Sequence, residues 1–177
     1  MNSVMSMFSS GASAPTQPLD RRDADAISQD IKSINDHITA LTQVTDNYNG
    51  GLLKALPLNQ AESSLESSIK IASSTSQNLN QLDSAESETI IAYINDTLEP
   101  NIHSVLAALS AKRAQITKSM LAGKVKGDIA TLHKMTLDLG KRLVEKASDD
   151  QKEAGMQVLA KIDAAFINAT TAWNSGK

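Results

Sequence analysis

The 177-residue chain has no cysteine and few aromatic residues, and each scarcity limits what the protein can be. Without cysteine, neither a disulfide framework nor a thiolate metal site can form. Phe, Tyr and Trp make up only 3% of the residues and the formal net charge is −3, so the stacking platforms and basic surface of a nucleic-acid-binding protein are missing. No apolar run approaches the roughly 18–20 residues that span a bilayer. We therefore expect neither a nucleic-acid partner nor a transmembrane segment.

Catalytic and metal-binding motifs are scarce as well. His37, His103 and His133 are far apart, and none belongs to a motif such as H-E-x-x-H. There is no G-x-S-x-G elbow and no glycine-rich phosphate loop. Residues 123–127 contain glycines and lysines but lack the P-loop spacing, so we expect them to form a turn. The sequence predicts a non-enzymatic protein that needs neither a metal nor a cofactor.

The pattern that is present is helical. Ile27, Ile31, Ile34, Ile38 and Leu41 recur at spacings of three and four, which places them on one face of an amphipathic helix. Four later segments repeat the pattern and no segment requires a strand. We predict an all-α fold, an antiparallel bundle of about five helices around an elongated apolar cavity.

Helix boundaries are predicted from capping residues and helix breakers. The first helix should cover residues 23–47. Residues 47–51 should stop it, because Gly50 and Gly51 accept the left-handed conformation that closes a helix end. The fourth should cover residues 126–147. Pro100 should kink the third helix within residues 95–99, because proline lacks a backbone donor and clashes with the preceding turn. Three pairs resemble capping boxes that open helices: Asn59 with Glu62, Asp83 with Glu86, and Ser148 with Gln151.

Residues 1–20 differ in character from the rest of the chain. They are rich in Ser, Met, Pro and small residues, and their apolar positions are interrupted by serine, unlike the continuous apolar run of a signal peptide. We expect a disordered tail or an artificial leader here. Residues 21–177 then form one helical domain.

The case for a ligand rests on small residues at helix positions where a tightly packed bundle would hold larger ones. They are Ala61, Ala72, Ser76, Thr136, Gly140 and Ala147. Two explanations remain open: close approach of helices, which we favour for each residue alone, and space for a ligand, which the set as a whole supports. An aliphatic lining suits a hydrocarbon chain better than a flat cofactor.

If a cavity exists, large aliphatic stripe residues should form its wall. The expected wall comprises Leu65, Ile69, Ile94, Leu98, Leu106, Leu109, Leu132, Leu139, Leu143, Leu159, Ile162 and Phe166. A lipid head group needs polar partners, since an unpaired buried carboxylate is very costly. Ser68, Ser76 and Thr136 are the candidates, together with a lysine at a helix end.

The order of these features resembles the fungal cell-wall galactomannoproteins, the antigenic mannoprotein group related to hydrophobic surface-binding protein A. The similarity lies in the opening helix of residues 22–48, its terminator Tyr48-Asn49-Gly50-Gly51, the Leu98-Glu99-Pro100 segment and two closing helices free of cysteine. It covers about residues 21–173. The resemblance implies a secreted, wall-associated helical domain that holds fatty acids, including arachidonic or palmitic acid, in an internal tunnel. It also implies an antigenic virulence-type protein that captures host lipid.

The remaining expectations concern alternatives and modification. A protein that adheres to hydrophobic surfaces or to a partner helix without an internal ligand is the rival function, and an inert wall protein with a filled core is a third. We expect a monomer or weak dimer. Asn95 and Asn168 begin N-x-T sequons and could carry glycans if the protein is secreted and their side chains face water.

Overall fold

Seven α-helices make up most of the chain in a computed structural model that describes residues 19–175, with side chains from residue 23 onward. The helices are α1 Leu19–Asp46, α2 Leu56–Asn78, α3 Ser84–Tyr93, α4 Glu99–Ala111, α5 Arg113–Lys118, α6 Ala122–Lys146 and α7 Lys152–Asn174. A 3-10 turn covers Leu53–Ala55 and a π-helical turn covers Ile94–Leu98. No strand occurs within residues 19–175, so the predicted all-α class is confirmed. Of the tail predicted for residues 1–20, residues 1–18 lie outside the described residues, whereas residues 19 and 20 already belong to α1.

The long helices run antiparallel between two ends of the bundle. Near the basal end, formed by residues 78–84 and 146–152, Asn80 Nδ2 donates to Asp23 Oδ2 over 3.1 Å and Leu82 N donates to the Lys146 carbonyl over 2.8 Å. The apical end is formed by residues 46–58, 111–125 and 172–175. There, Gly51 N donates to Ser119 Oγ over 2.8 Å. These bonds join loops that are distant in the chain to one another and, through Asp23, to α1.

The apolar face of α1 lies fully inside the bundle. Ile27, Ile31, Ile34, Ile38 and Leu41 are each at most 4% exposed. α1 packs along α2 and α4, while α6 packs along α2 and α7. The apolar faces of these helices therefore meet in one continuous core, as the periodicity predicted.

One of the three predicted capping boxes is confirmed. Asp83 Oδ1 accepts from Glu86 N over 2.8 Å, and Glu86 Oε2 accepts from Asp83 N over 3.1 Å. This reciprocal pair satisfies two backbone donors that the first turn of α3 cannot bond internally.

The other two capping predictions are wrong. α2 begins at Leu56, before Asn59, because Pro57 suits a first helical turn in which its missing N–H is not needed. α7 begins after Gln151, which makes no side-chain cap; its backbone N–H donates to the Ser148 carbonyl over 2.9 Å and closes a turn instead.

The segment in which Pro100 was predicted to kink the third helix is the π-turn Ile94–Leu98. Such a turn holds an extra residue and accommodates a position at which the regular hydrogen bond is lost. The third predicted helix is further divided at Lys112, whose φ of −89° and ψ of 4° leave the helical region. The expected turn at residues 123–127 is wrong: both glycines lie in the opening turns of α6.

Candidate functional site

Three apolar cavities follow one another along the bundle axis, and α6 borders all of them. The basal cavity has a volume of about 50 Å³, the central cavity about 50 Å³ and the apical cavity about 40 Å³. Along α6, the basal cavity is lined from Gly140 to Val144 and the central cavity from Ile129 to Leu139. The central and apical cavities share Leu41, Leu109, Ile129 and Leu132. The interior is therefore an elongated row of spaces rather than one round pocket.

All twelve residues expected to form an apolar wall line two of these cavities. The central cavity is bordered by Leu65, Ile69, Leu98, Leu106, Leu109, Leu132, Leu139 and Phe166. The basal cavity is bordered by Ile94, Leu143, Leu159 and Ile162. The structure brings the predicted wall together, while the binding role of these side chains remains a prediction.

The sequence reasoning left out part of the wall, chiefly the contribution of α1. Ile34, Ile38 and Leu41 line the central cavity, as do Ile102 and Ile129. The signal was available, because the α1 pattern was recognised and a buried helix face must point at the same interior as its neighbours. Whether a buried helix face lines a cavity or packs directly against another helix depends on the angles at which the helices cross.

The small residue Gly140 marks a close approach between α6 and α7. A Cβ at this position would overlap Leu159 Cδ1 on α7. Gly155 on α7 is similar, since its Cβ would lie 3.1 Å from Val144 Cγ2. Both glycines border the basal cavity. The Leu159 side chain thus fills the space that a larger residue at position 140 would occupy.

The three expected head-group residues occupy different environments. Thr136 lines the central cavity, where it is the only polar residue of the wall among the described residues. Ser68 faces a groove between α1 and α2 and donates to the Leu65 carbonyl over 2.8 Å. Ser76 is fully buried and donates to the Ser73 carbonyl over 2.8 Å. Thr136 alone combines a hydroxyl with a place on the central wall.

A charged rim borders the apical cavity. Lys124 Nζ lies 2.6 Å from Asp128 Oδ2 on α6 and 3.5 Å from Glu62 Oε2 on α2. Burial, with a hydrogen bond to Glu66, raises the pKa of Glu62 above its ordinary value. Burial alone would lower the pKa of Lys124, but Asp128 and Glu62 together raise it, so Lys124 stays charged at neutral pH. The rim links α2 to α6 over the cavity, a feature that sequence spacing alone did not identify.

An aromatic and ionic contact supports the central cavity from the other side. The imidazole of His133 stacks on Phe166 with ring centroids 5.0 Å apart and planes 12° apart. His133 Nε2 also lies 2.6 Å from Asp163 Oδ1. These contacts join α6 to α7 and fix the orientation of the Phe166 ring, which borders the cavity.

The two sequons lie in helical segments with different surroundings. Asn168 is exposed on α7. The Asn95 side chain lies in the π-turn, where Nδ2 donates to Asp96 Oδ1 over 2.6 Å and Oδ1 accepts from Lys161 Nζ over 2.8 Å. Asn168 is therefore the more accessible of the two, and glycosylation at either position remains a prediction.

The family model described as hydrophobic surface binding protein A matches residues 24–145, the stretch from α1 almost to the end of α6. The chain belongs to this family. No curated protein sequence matches the chain. Within this family fold, no described helix is long and apolar enough to cross a membrane, and the described residues contain no group of three or more His, Cys, Asp or Glu placed to hold a metal ion.

Solved structures of fungal mannoproteins have the same fold. The structure of Aspergillus AfMP4p in complex with palmitic acid is 29% identical, covers 85% of this chain and 99% of its own, and has a TM-score of 0.82. Ligand-binding domain 1 of Penicillium marneffei MP1, complexed with arachidonic acids, is 14% identical, covers 86% and 99%, and has a TM-score of 0.80. Domain 2 of the same protein, with multiple arachidonic acids, is 18% identical, covers 86% and 96%, and has a TM-score of 0.79.

Proposed function

We propose that the protein binds long-chain fatty acids in its apolar interior and acts as a non-enzymatic lipid carrier. The observation that carries this proposal is the row of three apolar cavities along α6. A linear arrangement matches an extended or bent acyl chain, and the wall of the central cavity is apolar apart from Thr136. The palmitic acid bound by AfMP4p, at 29% identity over nearly its whole length, supports the same ligand class.

Binding requires the helices to separate. Ligand pockets usually hold about 300–1,000 Å³, whereas the central cavity holds about 50 Å³. The contacts around it are apolar, so the side chains can shift without breaking directional bonds. The π-turn contributes Ile94 to the basal wall and Leu98 to the central wall, and it lies between those two cavities. A small outward movement there joins the two cavities into one channel.

The energetics allow useful affinity despite this cost. An acyl chain of about 15 methylenes gains about 12 kcal/mol on burial at about 0.8 kcal/mol per methylene. Loss of translational and rotational freedom removes at least about 4 kcal/mol. The remainder is about 8 kcal/mol, which corresponds to a dissociation constant near 1 μM. Any further cost of separating the helices weakens binding from that value.

Thr136 is our candidate for the carboxylate contact in the central cavity, because its hydroxyl can donate to an oxygen and its neighbours on the wall cannot. In the family context we place the protein outside the cell or in the cell wall, where it would sequester lipid, including host lipid, and could carry a glycan at the exposed Asn168. Oligomerisation is not needed for binding, since each bundle holds its own row of cavities.

Native mass spectrometry of the purified protein tests the proposal. Incubation with palmitate or arachidonate should add a discrete ligand mass, and denaturation should release the fatty acid intact. Trp173 provides a second readout, because it is 1% exposed within the core and its emission should respond at stoichiometric lipid. A bare protein mass after incubation with excess of both lipids, with emission that changes only on micelles or hydrophobic surfaces, would favour the adhesion function.

A further inference from the structure

The apical end of the bundle exposes a cluster of large apolar side chains. Seven large hydrophobic residues are exposed among the described residues, and four of them lie here: Leu52 at 58%, Leu53 at 85%, Leu56 at 58% and Met120 at 86%. We call these four residues the apical patch. The hydrogen bond from Gly51 N to Ser119 Oγ holds the two contributing segments together. Isolated exposed apolar residues are ordinary, but a cluster at one end of a molecule marks an interaction surface.

The same two segments also build the wall of the apical cavity. In the first, the exposed Leu53 and Leu56 alternate with Ala55 and Leu58, which line the cavity. In the second, the exposed Met120 precedes Leu121, another lining residue. A single layer of backbone and side chains thus separates the apical patch from the apical cavity.

Met120, in the apical patch, has a strained backbone conformation. Its φ is +58°, and it is the only described residue other than glycine with a positive φ. This conformation is sterically unfavourable for a residue with a Cβ, so glycine or asparagine usually occupies such a position after a helix end. Here the strained position carries a large apolar side chain directed into solvent, which contributes nothing to the core.

The charges around the apical patch have one predominant sign. Five of the 17 Lys and Arg residues fall within residues 112–127, which contain no acidic residue, although the whole chain has a net charge of −3. Lys124 is paired with Glu62 and Asp128, and Arg113 caps the end of α7 through the Ala172 carbonyl. The other lysines at this end or directly beside it form no ion pair with a described residue: Lys54, Lys112, Lys118 and Lys126.

We infer that the apical end docks on anionic lipid bilayers and that fatty acids enter the protein there, through the apical cavity. The apical patch would insert into the acyl boundary while the surrounding lysines contact anionic head groups, the combination by which peripheral proteins hold to membranes. Docking would bring the bilayer interior close to the rim formed by Glu62, Lys124 and Asp128. An anionic head group that competes for Lys124 would weaken the link between α2 and α6 and open the cavity. The access route rests on the proposed fatty-acid function, whereas docking does not.

Vesicle co-sedimentation tests docking directly. The wild-type chain should bind phosphatidylcholine vesicles containing phosphatidylglycerol far better than pure phosphatidylcholine vesicles, and added salt should weaken that binding. The double variant Leu53→Ser with Met120→Gly should bind at least about tenfold more weakly, from the lost apolar insertion. Neither change endangers the fold, since Leu53 is exposed and glycine suits the backbone at position 120. Lys54→Gln with Lys118→Gln should weaken binding about fivefold for each lysine.

The matched control is Met156→Ser. Met156 is 54% exposed on the first part of α7, near the basal end, so it removes a comparable apolar side chain away from the patch. Its vesicle binding should equal that of the wild type. Equal binding by the wild type and the Leu53/Met120 double variant, or equal binding to neutral and anionic vesicles, would overturn the docking inference. Self-association through the apical end with no vesicle binding would overturn it too.

A transfer experiment separates this inference from the proposed function. Palmitate is supplied either from anionic donor vesicles or as monomer in solution. The Leu53/Met120 double variant should load more slowly from vesicles but reach the wild-type affinity in solution. Unchanged transfer from vesicles would overturn the access route while leaving fatty-acid binding intact. Failure of the wild type to take up palmitate from either source, with vesicle docking retained, would refute the proposed function and leave docking standing.

Discussion

Filling the central cavity should block the acyl chain without unfolding the bundle, and Leu139→Trp is the change to make. Leu139 is 5% exposed and borders the cavity of about 50 Å³ on the same helix as Thr136. The indole would occupy that space and press on its wall. Overpacking of this kind costs about 1–3 kcal/mol. For a chain of this length each kcal/mol lowers Tm by about 2–4 °C, so we expect a fall of about 2–12 °C.

Leu139→Trp should remove a larger fraction of the free energy of lipid binding than of the free energy of unfolding. If the indole excludes about three methylenes from the wall, the loss is about 2.4 kcal/mol at about 0.8 kcal/mol each. That corresponds to a dissociation constant for palmitate that is roughly fiftyfold larger. Displacement of a fluorescent fatty acid measures the affinity, and thermal unfolding followed by circular dichroism measures the stability.

Met156→Trp is the matched control, because the same residue is introduced at a position that is 54% exposed. It should change neither palmitate affinity nor Tm appreciably. If Leu139→Trp is folded and binds palmitate as tightly as the wild type, the acyl chain does not use the central cavity and the reasoning fails.

Three further predictions concern stability. Asp83→Ala should cost about 1 kcal/mol by removing the confirmed cap on Glu86 N, measured by urea unfolding; an unchanged midpoint would contradict a stabilising role for the capping box. Met120→Gly should raise the free energy of unfolding by about 1 kcal/mol through relief of its positive φ, and a lower Tm than that of the wild type would contradict this. Glu62→Gln tests pH dependence: because burial raises the folded-state pKa of Glu62, its protonated form favours folding at pH below its ordinary value of 4.5, and this contribution is lost as the pH rises through the raised pKa. The variant should therefore gain stability relative to the wild type between pH 4 and pH 7, and urea unfolding that shows the same difference at both pH values would refute the assignment.

Local chemistry accounts for the predictions that the structure confirms. The α1 pattern needs only the 3.6-residue period to identify its buried face. Gly50 and Gly51 both adopt a positive φ in the turn that follows the end of α1 at Asp46. Pro100 disrupts the preceding turn wherever its helix packs, because the missing donor and the ring clash are properties of the residue itself. These features depend on near neighbours in the chain.

Capping residues show where local rules stop being sufficient. Asp83 caps α3, whereas Ser148 has the same spacing to its partner and does not cap α7. The Ser148 backbone N–H donates to Ser87 Oγ over 2.9 Å, a contact between residues far apart in the chain. Tertiary contact at the basal end thus determines the start of α7.

The helical class, the main buried faces and the aliphatic character of the interior follow from periodicity and side-chain chemistry, which are local properties of the chain. Helix packing, in contrast, divides the interior into three cavities, places Thr136 rather than Ser68 or Ser76 on the central wall, and lets Lys124 join α2 to α6. Cavity volume and interhelical ion pairs depend on helix crossing and register. Those are set by the fit of many side chains at once, and no single stretch of sequence contains them.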